Sequence, residues 1–303
     1  MDQPFAHPTG KRLLSEVRFI FENKPVYHRR DKPFVFICGG STTGRSKKMR
    51  RKFLAWAKGR LHEVVFVLAE DAYAYTHFYD PPEAVNLSEF EEVIGEIADC
   101  IVLFPESAGS FAELGLFSGH EKIRSKTLVV NPVAYMSRES FVNLGPVATI
   151  DQNSFLKPSL PITFEKGRYN FSSIRARLQR VVKNNRRKSF SYKPYRSLTL
   201  FEKFLVILEM IHLMQFVSFD DLEKCLVWIF DGAVRKDMWP LLSVLLGMKF
   251  IYVKDGFYML APHGSSLLEF DDVQIEDLRV RVRGHYEKNC PELWRRYQKV
   301  QKC

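Results

Sequence analysis

The densest chemistry in the chain lies in Phe104-Pro105-Glu106-Ser107-Ala108-Gly109-Ser110-Phe111-Ala112-Glu113-Leu114-Gly115. The segment follows a short apolar run, so Glu106 is expected at the end of a strand and Glu113 in the first turn of the next helix. Two carboxylates at the carboxyl edge of a parallel sheet face the crevice where such sheets bind ligands. There one carboxylate can stabilise a developing positive charge or add covalently, and the other can bind hydroxyls or orient the first. Gly109 would let the backbone turn sharply and come close to a ligand. The plain alternative is that Ser110-x-x-Glu113 is a capping box, with Glu113 folded back onto the helix start. A second glutamate and a glycine-containing loop beside the box favour a functional Glu113 over a capping one; Glu106 is either its catalytic companion or a solvated loop residue.

Other candidates fall at neighbouring strand ends. Gly39-Gly40-Ser41-Thr42 follows an apolar run and precedes a helix, so its N–H and hydroxyl groups could hold a phosphate or ribose. It lacks a G-x-G-x-x-G pattern and a Walker lysine, which leaves a plain turn open. Arg45, Lys47, Lys48, Arg50, Arg51 and Lys52 crowd the start of the next helix, either as a solvated basic face or beside an anion. Glu70 and Asp71 end the second run and could touch a ribose or cap a turn. Tyr73, Tyr75, Phe78 and Tyr79 could stack on a base or pack in the core. His62, His77, His120 and His212 have no ligand spacing, so no metal is expected. The five cysteines form no C-x-x-C pair, and their odd number suits a reducing cytoplasm.

The elements that must position these groups alternate regularly. Apolar runs at 34–38, 64–68, 101–104 and 127–130 read as buried parallel strands. Segments of helical length, 46–60, 88–98 and 110–123, separate them. A weaker fifth strand is expected near Val147 to Ile150, and a helix over 10–23 precedes the first. The expected fold is α/β, a flavodoxin/Rossmann-like parallel sheet covered by helices.

Residues 171–200 carry nine Lys or Arg residues and no acid: Arg175, Arg177, Arg180, Lys183, Arg186, Arg187, Lys188, Lys193 and Arg196. With Phe190, Tyr192 and Tyr195 interleaved, the stretch suits nucleic-acid binding, against the alternative of a solvated linker. Further basic residues, among them Arg279, Arg281, Arg283, Arg295, Arg296, Lys299 and Lys302, follow near the C-terminal end. The net charge of +10 points the same way, towards an anionic partner. Beyond the stretch, a buried helix over 199–215, a Ser218-capped helix, a helix over 235–247 and two β-rich runs around Lys254-Asp255-Gly256 outline a winged helix-turn-helix. The expected division is therefore 1–170, a basic linker 171–197, and 198–303. The opening MDQPFAHPTGKRLL has no apolar stretch of signal-peptide length, and no run of about 18 apolar residues occurs, so no membrane span is expected.

The FPESAGSFAELGLFS segment, the FICGG strand and loop, and Phe141-Val142-Asn143-Leu144-Gly145-Pro146-Val147 together resemble the retron-associated effector toxins of the nucleoside deoxyribosyltransferase-like type. The resemblance covers most of the chain, including the basic stretch and the winged helix. It implies that Glu113 attacks the anomeric carbon of a sugar. Glu106 would stand where the wider superfamily often has an Asp, at a different spacing, and Asn143 lies in a resembling segment; with the strand-end positions above, Gly39, Gly40, Ser41, Glu70, Asp71, Gly109, Ser110 and Asn143 are the expected substrate-lining residues. It further implies a bacterial antiphage effector that cleaves NAD as substrate, with no separate cofactor. A reverse transcriptase and its branched RNA–DNA product, the multicopy single-stranded DNA, would hold it in check, and the chain would self-associate. Two other readings compete: a nucleotide N-glycosidase or deoxyribosyltransferase acting on free nucleotides, and a non-catalytic, nucleotide-sensing DNA-binding regulator.

Overall fold

A computed structural model describes residues 4–28, 32–40, 49–74, 86–133, 139–165, 168–184, 187–232 and 235–301. Helix α1 (Pro8–Asn23) and strand β1 (Val26–His28) come first. The expected alternation follows: β2 (Phe34–Gly39), α2 (Met49–Ala57), β3 (Val65–Val67), α3 (Ala69–Tyr73), α4 (Leu87–Ile97), β4 (Cys100–Phe104), α5 (Ala108–Gly119), α6 (Glu121–Arg124) and β5 (Thr127–Pro132). A π-helical turn, Asn143–Val147, leads into α7 (Ala148–Asn153), then β6 (Leu160–Ile162), β7 (Phe164–Glu165), β8 (Arg168–Tyr169) and α8 (Ser172–Asn184).

Strands β3-β2-β4-β5-β6 lie in that order in one five-stranded sheet, every pair parallel. Numbered along the chain, this is the 2-1-3-4-5 order of flavodoxin-like sheets, whose ligand crevice opens where the order reverses, between β2 and β4. The central strands are buried on both faces, from Phe34 to Cys38 and from Cys100 to Phe104, because helices cover both sides. Val35, Ile37, Val102 and Phe104 pack with Phe53 of α2 and with Ile174, Leu178 and Val181 of α8. On the opposite face, Phe36 meets Phe117 of α5, ring centroids 6.2 Å apart.

The fifth strand is not at Val147 to Ile150. Those two residues are buried three positions apart on helical backbone, a spacing that places both on one helix face, and the sheet instead takes Leu160–Ile162. The basic stretch also begins as part of this α/β unit rather than as a linker. The i, i+4, i+7 pattern of Ile174, Leu178 and Val181 seats α8 on the sheet, while Arg175, Arg180 and Lys183 face solvent.

Two compact units result: Asp31–Tyr73 with Pro82–Arg186, and Met1–Arg30 with Ala74–Pro81 and Arg187–Cys303. The first 30 residues thus group with the C-terminal half, whereas the sequence reading put them in the 1–170 domain. The reason is the apolar stripe of α1, where Leu13, Leu14, Val17, Ile20 and Phe21 are buried; Phe21 packs edge-on against Phe190, Phe230 and Phe270. In the same unit β1 is the central strand between β9 (Lys188–Phe190) and β13 (Leu268–Phe270), antiparallel to both.

The remainder of this unit runs α9 (Leu200–Met214), β10 (Val217–Ser218), α10 (Phe219–Phe230), α11 (Arg235–Gly247), β11 (Ile251–Lys254) and β12 (Phe257–Leu260), with α12 (Ile275–Asn289) and α13 (Pro291–Gln301) after β13. The three short strands pair antiparallel in the order β10-β12-β11. The β11–β12 turn has positive φ at both Asp255 and Gly256, as an Asp-Gly hairpin requires.

Candidate active site at the sheet switch point

A cavity of about 390 Å³ opens at the carboxyl end of β2, lined by residues that include Gly39, Arg50, Glu70, Tyr73, Glu91 and Glu113. Gly39 ends β2 at φ +143°, and a Cβ there would lie 2.9 Å from the Phe104 carbonyl oxygen. Only glycine allows β2 to turn away from β4 at this point. Gly109, by contrast, lies inside α5, exposed, with nothing near the position of an added Cβ. The sharp turn expected at Gly109 is absent, because the helix has already begun one residue earlier.

The start of α5 decides what Glu113 is free to do. Ser107 is the N-cap, and Ser107 and Ser110 form the capping box between them. The buried Ser110 hydroxyl accepts from the Glu106 and Ser107 amides, at 2.9 and 2.8 Å, and donates to the Ser107 carbonyl. Glu113 therefore sits in the second turn, not the first, and has no capping duty. Glu106 has one elsewhere: its carboxylate accepts from the Met49 and Arg50 amides, at 2.6 and 3.1 Å. A carboxylate held by backbone N–H groups at a helix start is well placed for the helix dipole, and Glu106 does not line the cavity.

Burial pushes the Glu113 carboxyl up to about 7; the Arg50 guanidinium opposes this, Glu70 adds to it, and the Gly39 amide hydrogen bond opposes it again. Its Oε2 is buried without a hydrogen-bond partner. Glu91, on α4, is 8% exposed, and burial, with Glu113 next in weight, raises it to about 8. Among the described residues the cation lining the cavity is Arg50. Its buried guanidinium donates to the Gly39 and Gly40 carbonyls, at 3.2 and 3.4 Å, and pairs with Glu70 at 2.8 Å. Among the described residues three carboxyl groups and one guanidinium line this hollow, a balance that favours a neutral or cationic ligand group over an anion.

The structure thus brings Gly39, Glu70 and Glu113 to one cavity, while Gly40, Asp71, Glu106, Gly109, Ser110 and Asn143 do not line it. Asn143 lies in the π-helical turn, its amide accepted by the Ser140 hydroxyl at 3.3 Å. Ser41, like Arg45, Lys47, Lys48 and the aromatics Tyr75, Phe78 and Tyr79, lies outside the described residues. Sequence reasoning missed Glu91. The signal was its place beside Phe90 and three residues before Ile94, on the apolar stripe that α4 buries. Among the described residues no group of three or more His, Cys, Asp or Glu could hold a metal ion.

The basic positions divide similarly. Arg175, Arg180, Lys183, Arg187, Lys188 and Arg196 are exposed, and Arg186 lies outside the described residues. Arg177 donates to the Lys157 carbonyl, Arg187 pairs with Glu269 and Asp271, and Lys193 pairs with Glu202. Among the described residues no helix is long and apolar enough to cross a membrane.

Comparison with known proteins matches residues 46–253 to the family described as STM3845 retron effector protein. The curated "Retron Ec73 putative ribosyltransferase/DNA-binding protein" of Escherichia coli is 31% identical over 137 residues, 45% of this chain and 43% of that protein. The "Retron Ec86 putative ribosyltransferase/DNA-binding protein", also of Escherichia coli, is 33% identical over 115 residues, 37% of this chain and 36% of that protein. The matched segments span less than half the length of these curated relatives.

Proposed function

Since this chain belongs to the STM3845 retron effector protein family, we propose that it is the N-glycosidase toxin of a bacterial antiphage retron, cleaving NAD to nicotinamide and ADP-ribose. The observation that carries the reading is the unpartnered Oε2 of Glu113, a carboxylate in a cavity at the switch point of the sheet. The two Escherichia coli relatives, each named as a "putative ribosyltransferase/DNA-binding protein", support chemistry at a sugar carbon.

The reaction follows from the groups present. Leaving-group departure builds positive charge at C1′ of the ribose, which a carboxylate stabilises or captures covalently. Glu113 attacks C1′ as the C1′–N1 bond breaks, and the electron pair neutralises the pyridinium, so nicotinamide leaves without a proton donor. Water then hydrolyses the glycosyl ester, releasing ADP-ribose, a proton and the Glu113 carboxylate. Glu91, protonated near neutrality by its raised pKa, donates a hydrogen bond to substrate without adding its own negative charge to those of Glu113 and Glu70. Arg50 limits the rise of Glu113 and ties the Gly39–Gly40 turn.

In the other unit, the order α9-β10-α10-α11-β11-β12 and the sheet β10-β12-β11 support a winged helix, and the relatives' DNA-binding names support nucleic acid as its partner. We place restraint of the toxin with the retron reverse transcriptase and its branched RNA–DNA product, in a self-associated assembly in the cytoplasm. The relatives' names also favour a second reading, transfer of the sugar from a free nucleotide to an acceptor other than water. Incubating the protein with NAD and with deoxynucleotides, and identifying the released base, tests both. Nicotinamide supports the first; release of adenine or cytosine, with NAD left intact, overturns it.

A further inference from the structure

The helix that a winged helix-turn-helix would lay in a DNA groove is α11, and it has almost no free face. Met238 and all six residues from Leu241 to Leu246 are buried, so the second half of the helix is covered on every side, and Trp239 and Pro240 before it are half-buried. The exposed residues are Arg235 and Lys236. Arg235 is already held by Asp220 at 2.6 Å and Glu223 at 3.1 Å. A recognition helix needs several side chains free to reach base edges, and α11 does not offer them.

A different surface of the same unit does offer cations. A groove of about 540 Å³ runs between α1 and α12. From α1 it takes Thr9, Arg12, Leu13 and Glu16, positions on one helical face; from α12 it takes residues that include Arg281, Gly284, Lys288 and Asn289. Its acid, Glu16, is committed to Arg281 through two contacts of 2.5 and 2.6 Å, whereas Arg12 and Lys288 are exposed. A Cβ built on Gly284 meets nothing within 4 Å, so the α12 backbone is open to close approach from the groove. Guanidinium, ammonium, amide and hydroxyl donors on two facing helices match the oxygens of a phosphodiester backbone.

We propose that this unit holds nucleic acid by its phosphates in the α1–α12 groove, through Arg12, Lys288 and the open backbone at Gly284, and not through α11. The proposal rests on the reading that this half of the chain binds nucleic acid, and it names the surface. It makes binding largely indifferent to base sequence and strongly dependent on salt.

The test is a fluorescence-anisotropy titration of the full chain with labelled single-stranded and duplex DNA over a salt series. Arg12→Ala with Lys288→Ala should weaken binding on the order of tenfold and flatten the slope of log K against log salt by about 2. Gly284→Leu adds no charge; it should weaken binding by filling the groove and leave the thermal transition in place. Arg235→Ala with Lys236→Ala, on the exposed turn of α11, should stay within about twofold of the parent. If the α11 pair carries the loss and the groove variants bind normally, the groove assignment falls while the nucleic-acid reading stands. If the unaltered chain binds neither DNA at any salt, that reading falls and takes the groove with it. Competition by polyglutamate at lower charge concentration than by DNA would mark an acidic protein as the occupant and overturn the proposal.

Discussion

Thr199-Leu200-Phe201-Glu202 and Ser110-Phe111-Ala112-Glu113 present the same pattern at the starts of two helices, and the two glutamates end in opposite states. At α9, Thr199 is the N-cap; the Thr199 amide donates to Glu202 at 2.8 Å and Lys193 adds an ion pair at 3.1 Å. Burial pulls the Glu202 pKa upward, but these partners together outweigh it and hold the group below its ordinary value. At α5 the cap lies three residues earlier, at Ser107. Glu113 is left with one buried oxygen unpartnered and is raised to about 7. One carboxylate finishes a helix; the other is kept available at a cost in desolvation. An S-x-x-E motif therefore does not report its own role: the residue that wins the N-cap position decides it.

The most direct way to break this comparison is to remove each charge. Glu113→Gln should abolish nicotinamide release, with a loss of about 10³-fold or more, since an amide cannot stabilise or capture C1′. Circular dichroism should be unchanged. Glu202→Gln should leave turnover at its original level. Equal activity in the two variants would end the catalytic assignment of Glu113.

Glu91 sharpens the contrast, because in the proposed reaction its charge is suppressed while that of Glu113 acts. Turnover should rise with pH as Glu113 ionises around 7 and fall as Glu91 loses its proton around 8, giving a narrow bell. Glu91→Gln keeps a hydrogen-bond donor but cannot ionise. It should lower kcat by up to about 10²-fold and remove the alkaline limb; an alkaline limb unchanged in that variant would exclude Glu91 from the titration.

The same two groups tie stability to pH. Their folded pKa values lie above the unfolded value of about 4.3, so the native state binds more protons than the unfolded chain between roughly pH 4 and 8. Their contribution is fully present below the unfolded pKa and is lost as pH rises through the folded values. Urea midpoints of the parent should decline from pH 5 to pH 9, and Glu91→Gln should decline less. An identical decline in both would mean that the Glu91 carboxyl is solvated.

How much of this was legible beforehand depends on which interactions set each feature. Continuous apolar runs marked four of the five strands of the parallel sheet, because a strand buried on both faces leaves no other pattern. The fifth was misplaced, since Val147 and Ile150 suit a helix face as well as a strand and only the tertiary partner of β6 settles it. Glu113 could be found from its position after β4. Its freedom from capping could not, because Ser107 and Ser110 compete for the same amides and the outcome depends on the backbone path after Pro105. The same loop geometry sends Glu106 to the start of α2. Glu91 was legible only as a charge on an apolar stripe, an ambiguity that the approach of α4 to β2 resolves. The basic stretch misled because nine cations concealed the three buried residues, Ile174, Leu178 and Val181, that seat α8 on the sheet.

The smallest expected effect tests the cap itself. Thr199→Ala and Ser107→Ala each delete an N-cap hydroxyl, and each should cost about 1 kcal/mol in chemical denaturation. Their consequences for activity should differ. Without the Thr199 hydroxyl, the α9 start frays in the unit that does not contain the cavity, and turnover should hold. Without the Ser107 hydroxyl, Ser110 becomes the best remaining N-cap, and Glu113 then stands at the N3 position of a Ser-x-x-Glu box. The carboxylate would be drawn towards the helix start, just as Glu202 is at α9, and turnover should fall several-fold with its acidic limb moved to lower pH. If Ser107→Ala loses stability but keeps both turnover and pH profile, the position of the cap does not govern the availability of Glu113, and the contrast between the two helices is one of burial alone.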